Sequence, residues 1–330
     1  MARTLIVAPS WVGDAVLSHP LLIRLKEADP QGAIDVLGPP WALPVYRRMP
    51  QVAAAHCLPF GHGELRLGDR RRFAKTLPAY DRAVILPNSL KSALIPWHAG
   101  IPVRTGWRGE MRYGLLNDVR RLDEAALPLI VERYAALAQP AGEALRRPLP
   151  DPRLTVDAAA RDATLAKHSL DAKQPVVVFA PGAEYGPAKR WPARHFAQLA
   201  KLLAARGNQV WLLGSAKDAQ ITAEIQRLSG GVARDLAGRT SLDEAIDLMS
   251  IAHRVVTNDS GLMHIAAALD RPMAAIFGSS SPAFTPPLSA KAKVISLRLS
   301  CSPCFARVCP LGHTHCLETL EPSLVMAALE

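Results

Sequence analysis

Pro9-Ser10-Trp11-Val12-Gly13-Asp14 sets one carboxylate at the end of a short loop of mostly small residues, directly after an apolar run. A loop that ends where a helix begins surrounds Asp14 with backbone N–H groups the helix does not use. Asp14 therefore reads equally as a reactive base at the mouth of a crevice or as a cap for the helix. The G-x-G-x-x-G loop of dinucleotide enzymes is absent here, which removes the main support for hydride transfer.

A second candidate is Thr257-Asn258-Asp259-Ser260-Gly261-Leu262-Met263-His264, a strand end running into a helix expected to include Ala266–Leu269. Ser260 and Gly261 would offer N–H groups at a positive helix terminus, where a diphosphate can sit without a metal. Gly261 carries the most weight, since a phosphate must approach the backbone closely. Asp259 also reads as the helix cap and His264 as a packed core residue.

The third loop, Pro181–Pro192, holds Gly182, Gly186 and the pair Lys189-Arg190. It could neutralise a departing diphosphate, or it is an ordinary basic surface loop. Asp218, after the next strand, falls where an acidic residue commonly meets a ribose hydroxyl, and it equally suits a helix start. Cys301, Cys304, Cys309 and Cys316, with His313 and His315 between them, have metal-like spacing; a structural zinc site and reduced thiols in a closing loop are both open readings. Cys57 stands alone and reads as core.

Positioning these residues falls to a repeated pattern. Thr4–Ala8, Ala33–Leu37 and Arg82–Leu86 are short unbroken apolar runs, each followed by a helix-like stretch, as in parallel strands buried on both faces. Glu143–Val156 carries Pro148, Pro150 and Pro152 and reads as an extended linker. The pattern restarts with strands Val176–Ala180 and Gln209–Leu213 around a helix Pro192–Arg206, then strands Arg254–Thr257 and Pro272–Phe277. Ser241 with Glu244 three residues on is a capping box. We therefore expect an α/β protein of two Rossmann-like doubly wound domains, residues 1–150 and 151–330, facing a central cleft that holds the site.

The bulk properties agree. At 330 residues, 49% hydrophobic and 21% charged, the chain can fill two cores. No apolar run approaches the roughly 18 residues that span a bilayer. The opening MARTLIVAPSWVGD reaches Asp14 too early for a secretory signal, so a cytoplasmic protein is expected. A net charge of +10 calls for anionic partners. Arginines crowd positions 66 to 121 (Arg66, Arg70, Arg71, Arg72, Arg82, Arg104, Arg108, Arg112, Arg120 and Arg121); singly they read as a solvated basic face, and together they suit an anionic acceptor. No zinc-finger, helix-turn-helix or RNP pattern occurs, which weakens nucleic acid as a partner.

Taken together, PSWVGD at 9–14, LPNSLKSAL at 86–94, GIPVRTGWRGEMRYGLLND at 100–118, PGAEYGPAKRWP at 181–192 and TNDSGLMH at 257–264 resemble glycosyltransferase family 9, the lipopolysaccharide heptosyltransferases, over nearly the whole chain. The resemblance implies a GT-B fold, with the acceptor on the first domain, the ADP-sugar on the second and a final helix, near Pro322–Leu329, that often crosses back to the first. It implies inverting transfer of L-glycero-D-manno-heptose from ADP-L-glycero-D-manno-heptose to the first heptose of the anionic lipopolysaccharide core, at the cytoplasmic face of the inner membrane and with no cofactor.

In that frame Asp14 matches the catalytic aspartate, already ionised at neutral pH with a pKa near ~3.9. Lys189 matches the phosphate-side lysine. Asp259, Ser260, Gly261, Leu262 and His264 match the nucleotide motif, Asp218 falls near a ribose contact, and Ser10, Trp11, Gly13, Asn88, Lys91, Arg108 and Arg112 are placed at the acceptor. Transfer of a different heptose by the same family is the nearest alternative. A nucleotide-sugar enzyme of another kind would normally show a dinucleotide loop and Tyr-x-x-x-Lys, and a basic membrane adaptor would leave the three loops unexplained.

Overall fold

A computed structural model of the chain describes residues 2–61 and 63–330. It divides into two compact units, Met1–Pro152 and Arg153–Glu330. Residues 143–156 form neither helix nor strand.

The first unit is a six-stranded sheet of β1 (Arg3–Val7), β2 (Ala33–Gly38), β3 (Ala54–Cys57), β4 (Arg82–Ile85), β5 (Val103–Trp107) and β6 (Asp118–Arg120), in the order β3-β2-β1-β4-β5-β6. Every pairing is parallel; Val7 lies in register with Leu37 on one side and Ile85 on the other. The chain builds outward from β1 to β3, then crosses back to place β4 on the opposite flank. The loops leaving the carboxyl ends of β1 and β4 therefore diverge, and they open the crevice in which such sheets bind ligands.

The second unit repeats the plan with β7 (Val176–Ala180), β8 (Gln209–Leu212), β9 (Ala233–Asp235), β10 (Arg254–Asn258), β11 (Met273–Ile276) and β12 (Ala292–Ile295), ordered β12-β11-β10-β7-β8-β9. Here the switch point lies between β7 and β10, parallel neighbours with Ala180 beside Thr257. VVVFA in β7 is buried at all five positions, as a central strand covered on both faces must be.

Each sheet is held by its own core. Leu5, Val7, Leu37 and Ile85 pack with Ile95 and Ile101 in the first unit. In the second, Val177, Phe179, Val210 and Leu212 meet Phe196, Leu199 and Leu203, which recur at helical spacing on one face of the helix Ala193–Ala205. Each such side chain contributes about 1.5–3 kcal/mol on burial. The closing helix Pro322–Leu329 buries Val325, Met326 and Leu329 in this second core. The capping box is formed: Glu244 N–H donates to Ser241 Oγ at 3.2 Å and Ser241 N–H to Glu244 Oε2 at 2.8 Å. Among the described residues no helix is long and apolar enough to cross a membrane.

Candidate active site

In the first domain β1 delivers the chain to Trp11, whose extended backbone caps the short helix Val12–Leu17. Asp14 stands in the first turn of that helix and is not its cap. Trp41, following β2, donates its indole N–H to Ser10 O at 2.8 Å and braces the loop from outside. Burial pushes the Asp14 carboxyl up from its ordinary value to about 6, against the unshifted base expected from sequence. Its surroundings explain this. The Tyr46 and Tyr134 hydroxyls are pushed well up, by burial first and also by the Asp14 charge, so both phenols lie near the carboxylate. Tyr46 is anchored in turn by Ser18 Oγ at 3.0 Å.

The loop after β4 carries Asn88, exposed, and the helix Leu90–His98 that follows carries Lys91, half-buried, in its first turn; Arg108, after β5, is exposed. Arg112, expected at the acceptor, is only 2% exposed. It donates to Pro87 O and Trp107 O, both at 2.6 Å, and to Ser92 Oγ and Asn88 Oδ1, both at 3.3 Å. Its guanidinium thus ties the β4 loop to the end of β5, since a buried cation must spend its donors on whatever acceptors surround it. Other members of the basic stretch also turn inward. Arg70 is buried over the Phe60 ring at 4.5 Å, and Arg104 donates to Leu115 O and Ile101 O. The sequence does not betray this, because an inward arginine and an outward one are the same letter.

In the second domain the loop after β7 and the end of β10 are joined by one side chain. Asn258, fully buried, donates to Pro181 O at 2.7 Å and accepts from Trp191 N–H at 3.1 Å, so it grips both ends of the 181–192 loop. The sequence reading assigned it no role; a polar residue closing an apolar strand was the available signal. Trp191 is fully buried and donates its indole N–H to Leu320 O at 2.8 Å.

On this frame Lys189 Nζ meets Asp259 Oδ2 at 2.5 Å, with the carboxylate side chain 4% exposed. Asp259 is therefore no helix cap. Ser260 is the N-cap of the helix Gly261–Ala268, with no side-chain cap bond, so the first N–H groups of that helix are not taken by a cap. Leu262 is half-buried beside Gly261. His264, one turn in, is buried and its imidazole is pushed down to about 4 by desolvation, hence neutral at working pH. Asp218 spends Oδ2 on the Ser215 N–H and hydroxyl, at 2.9 and 2.8 Å, while the carboxyl packs against Gly182, where a Cβ would lie 2.5 Å away. Four buried polar atoms without a partner lie in the segments that follow β7, β10 and β11: Arg190 Nε, His264 Nδ1, Ser279 Oγ and Ser280 Oγ. Orphaned polar atoms in a cleft-forming segment are what a polar ligand would satisfy.

A zinc site at Cys301, Cys304, Cys309 and Cys316 is not formed. All four are free thiols, and among the described residues no three His, Cys, Asp or Glu side chains are placed to hold one ion. The sulfurs do share a neighbourhood: the Cys316 thiol is pushed up by burial and by the other three, and Cys309 is held below its ordinary value by backbone N–H groups, Thr314 first.

The comparison with known proteins falls on this architecture. The profile of glycosyltransferase family 9 (heptosyltransferase) matches residues 70–315. Lipopolysaccharide heptosyltransferase 2 of Escherichia coli K12 is 52% identical over 306 residues, covering 89% of this chain and 88% of that protein. Lipooligosaccharide heptosyltransferase 2 of Haemophilus influenzae is 48% identical over 305 residues, covering the same shares of each chain. The solved structure of E. coli ADP-heptose LPS heptosyltransferase II superposes with a TM-score of 0.88 at 46% identity, over 99% of this chain and 97% of that one. Its two doubly wound parallel sheets are of the GT-B kind, and the chain belongs to glycosyltransferase family 9, the heptosyltransferases.

Proposed function

We propose that this transferase moves L-glycero-D-manno-heptose from ADP-heptose to the first heptose of the lipopolysaccharide inner core, with inversion and without a metal ion. The observation that carries the mechanism is Asp14: a carboxylate in the first turn of the helix after β1 whose pKa is lifted to about 6, close enough to neutrality to be ionised and still to accept a proton well. The names and close identity of the E. coli and H. influenzae relatives support the donor and acceptor classes.

In this reading the acceptor hydroxyl attacks the anomeric carbon as the bond to the diphosphate oxygen breaks on the opposite face. Asp14 takes the hydroxyl proton as the new glycosidic bond forms. Lys189, the N–H groups at Ser260–Gly261 and the neutral His264 receive the charge that builds on the departing ADP, and preorganised donors of this kind are each worth roughly 2.7–4 kcal/mol of barrier. Asp218, with Oδ1 free of the Ser215 bonds, faces the ribose. The acceptor is anionic and lipid-anchored. Exposed Trp11, Trp41, Met111 and Tyr113, with Arg108, offer it apolar and basic contacts at the cytoplasmic face of the inner membrane. Zinc has no part in the reading, since the four sulfurs would have to close up to hold it.

The test is product analysis by mass spectrometry after incubating the purified protein with ADP-heptose and lipid acceptors bearing no heptose or one. One added heptose on the one-heptose acceptor only, undiminished by EDTA, is expected. Addition to the heptose-free acceptor would reassign the step within the family, and loss of turnover in EDTA that is restored by a divalent cation would overturn metal independence.

A further inference from the structure

The four-cysteine loop is bonded onto the loop that carries Lys189. Tyr185 donates its hydroxyl to Phe305 O at 2.8 Å, and Ala188 N–H donates to Arg307 O at 3.1 Å. Gly186 is required at this seam, because a Cβ there would sit 2.4 Å from Arg307 O. On its other side the same loop grips the segment after β11: Phe305 N–H donates to Ser279 O at 2.6 Å and Ser302 Oγ to Gly278 O at 2.5 Å. Residues 302–307 therefore form a bracket from the end of β11 to the phosphate-side loop.

What the bracket presents is a cation. The Arg307 guanidinium lies 5.1 Å from the centroid of the Tyr185 ring, and Lys189 Nζ lies 5.2 Å from the same centroid. One anchored ring thus spaces two positive groups. Their charges are not equivalent. Lys189 is paired with Asp259, and Lys217, also on this end of the sheet, is paired with Glu184. Arg307 is exposed and has no carboxylate partner among the described residues. A diphosphate that met only the Lys189–Asp259 pair would find a donor with almost no net charge. An uncompensated guanidinium, with its planar fork of N–H groups, supplies what is missing.

We propose that Arg307 is a second cation of the donor-diphosphate site and that the four-cysteine loop serves to hold it there. This rests on the reading of Lys189 as the phosphate-side lysine. The ligand it takes is the diphosphate of a nucleoside diphosphate or of its sugar ester, and the adenosine end plays no part in the contact.

Isothermal titration of the full-length protein with ADP, AMP and adenosine tests it, on wild type, Arg307→Ala, Arg307→Lys and Lys189→Ala. Loss of one charge-assisted contact should weaken ADP by about tenfold or more in Arg307→Ala. Adenosine should be unchanged, AMP should be affected less than ADP, and Arg307→Lys should recover part of the loss. If Lys189→Ala weakens ADP and Arg307→Ala does not, the proposal falls and the donor site stands. If Arg307→Ala weakens adenosine as much as ADP, the loop has merely collapsed and the proposal falls. If neither variant changes ADP affinity, the placement of the diphosphate fails, and Arg307 with it.

Discussion

The two domains share one strand order and put a carboxylate at the same kind of place, beyond the carboxyl end of a strand flanking the switch point, yet the two carboxylates are opposites. Asp14 lies near the Tyr46 and Tyr134 phenols, and burial raises its pKa to about 6. Asp259 sits against Lys189 at 2.5 Å, and Asn258 holds the two ends of the loop that carries that lysine. One arrangement penalises a carboxylate charge by burial, while the other balances it with a lysine. Topology selects the location, and the neighbours select the chemistry.

The hardest blow to that comparison would come through Asp14→Asn. Transfer should fall by about 10²–10⁴-fold while ADP affinity holds, as measured by initial rates and titration. Stability should move the other way. A carboxyl whose folded pKa is raised costs stability above that pKa, and the cost disappears as pH falls through about 6 towards 4. Asp14→Asn should thus unfold at a higher temperature at pH 8, by the equivalent of about 2 kcal/mol, and match wild type near pH 4. The wild-type kcat/KM should decline below about pH 6. Retained activity in the variant, or a rate independent of pH from 5 to 8, would remove Asp14 as the base.

Lys189→Met should lower the rate by about 10²–10³-fold and weaken ADP. It should also destabilise, by about 3 kcal/mol, because Asp259 is left buried without its partner. Adding Asp259→Asn sharpens the contrast: the double variant should recover the melting temperature and none of the rate. Recovery of both would mean that the pair is only structural.

Asn258→Ala should have the smallest effect, about 2 kcal/mol in thermal unfolding, with donor affinity reduced because both ends of the 181–192 loop are released. An unchanged affinity for ADP would show that the loop is held by other means.

Some of this was legible in the residues alone. Strands such as Val176–Ala180 and the Ser241 capping box announce themselves, because a central strand must be apolar on both faces and a helix start must satisfy its own N–H groups locally. The flanking strands β3, β5, β6, β9 and β12, such as ARD at 233–235, carry no such pattern; they are strands because a neighbouring strand offers them partners. The motif loops were likewise visible as glycine, acid and base in short order, but whether Asp14 and Asp259 cap their helices was not.

Local sequence determined the alternation of strand and helix, and with it the places where loops must emerge, since these depend on patterning over a few residues. Only the tertiary structure decided that Arg112 is a buried tie, that burial lifts the Asp14 pKa and that Asp259 belongs to Lys189. Charge, burial and partnership are properties of what folding brings near across dozens of residues, and a side chain does not carry them until it is surrounded.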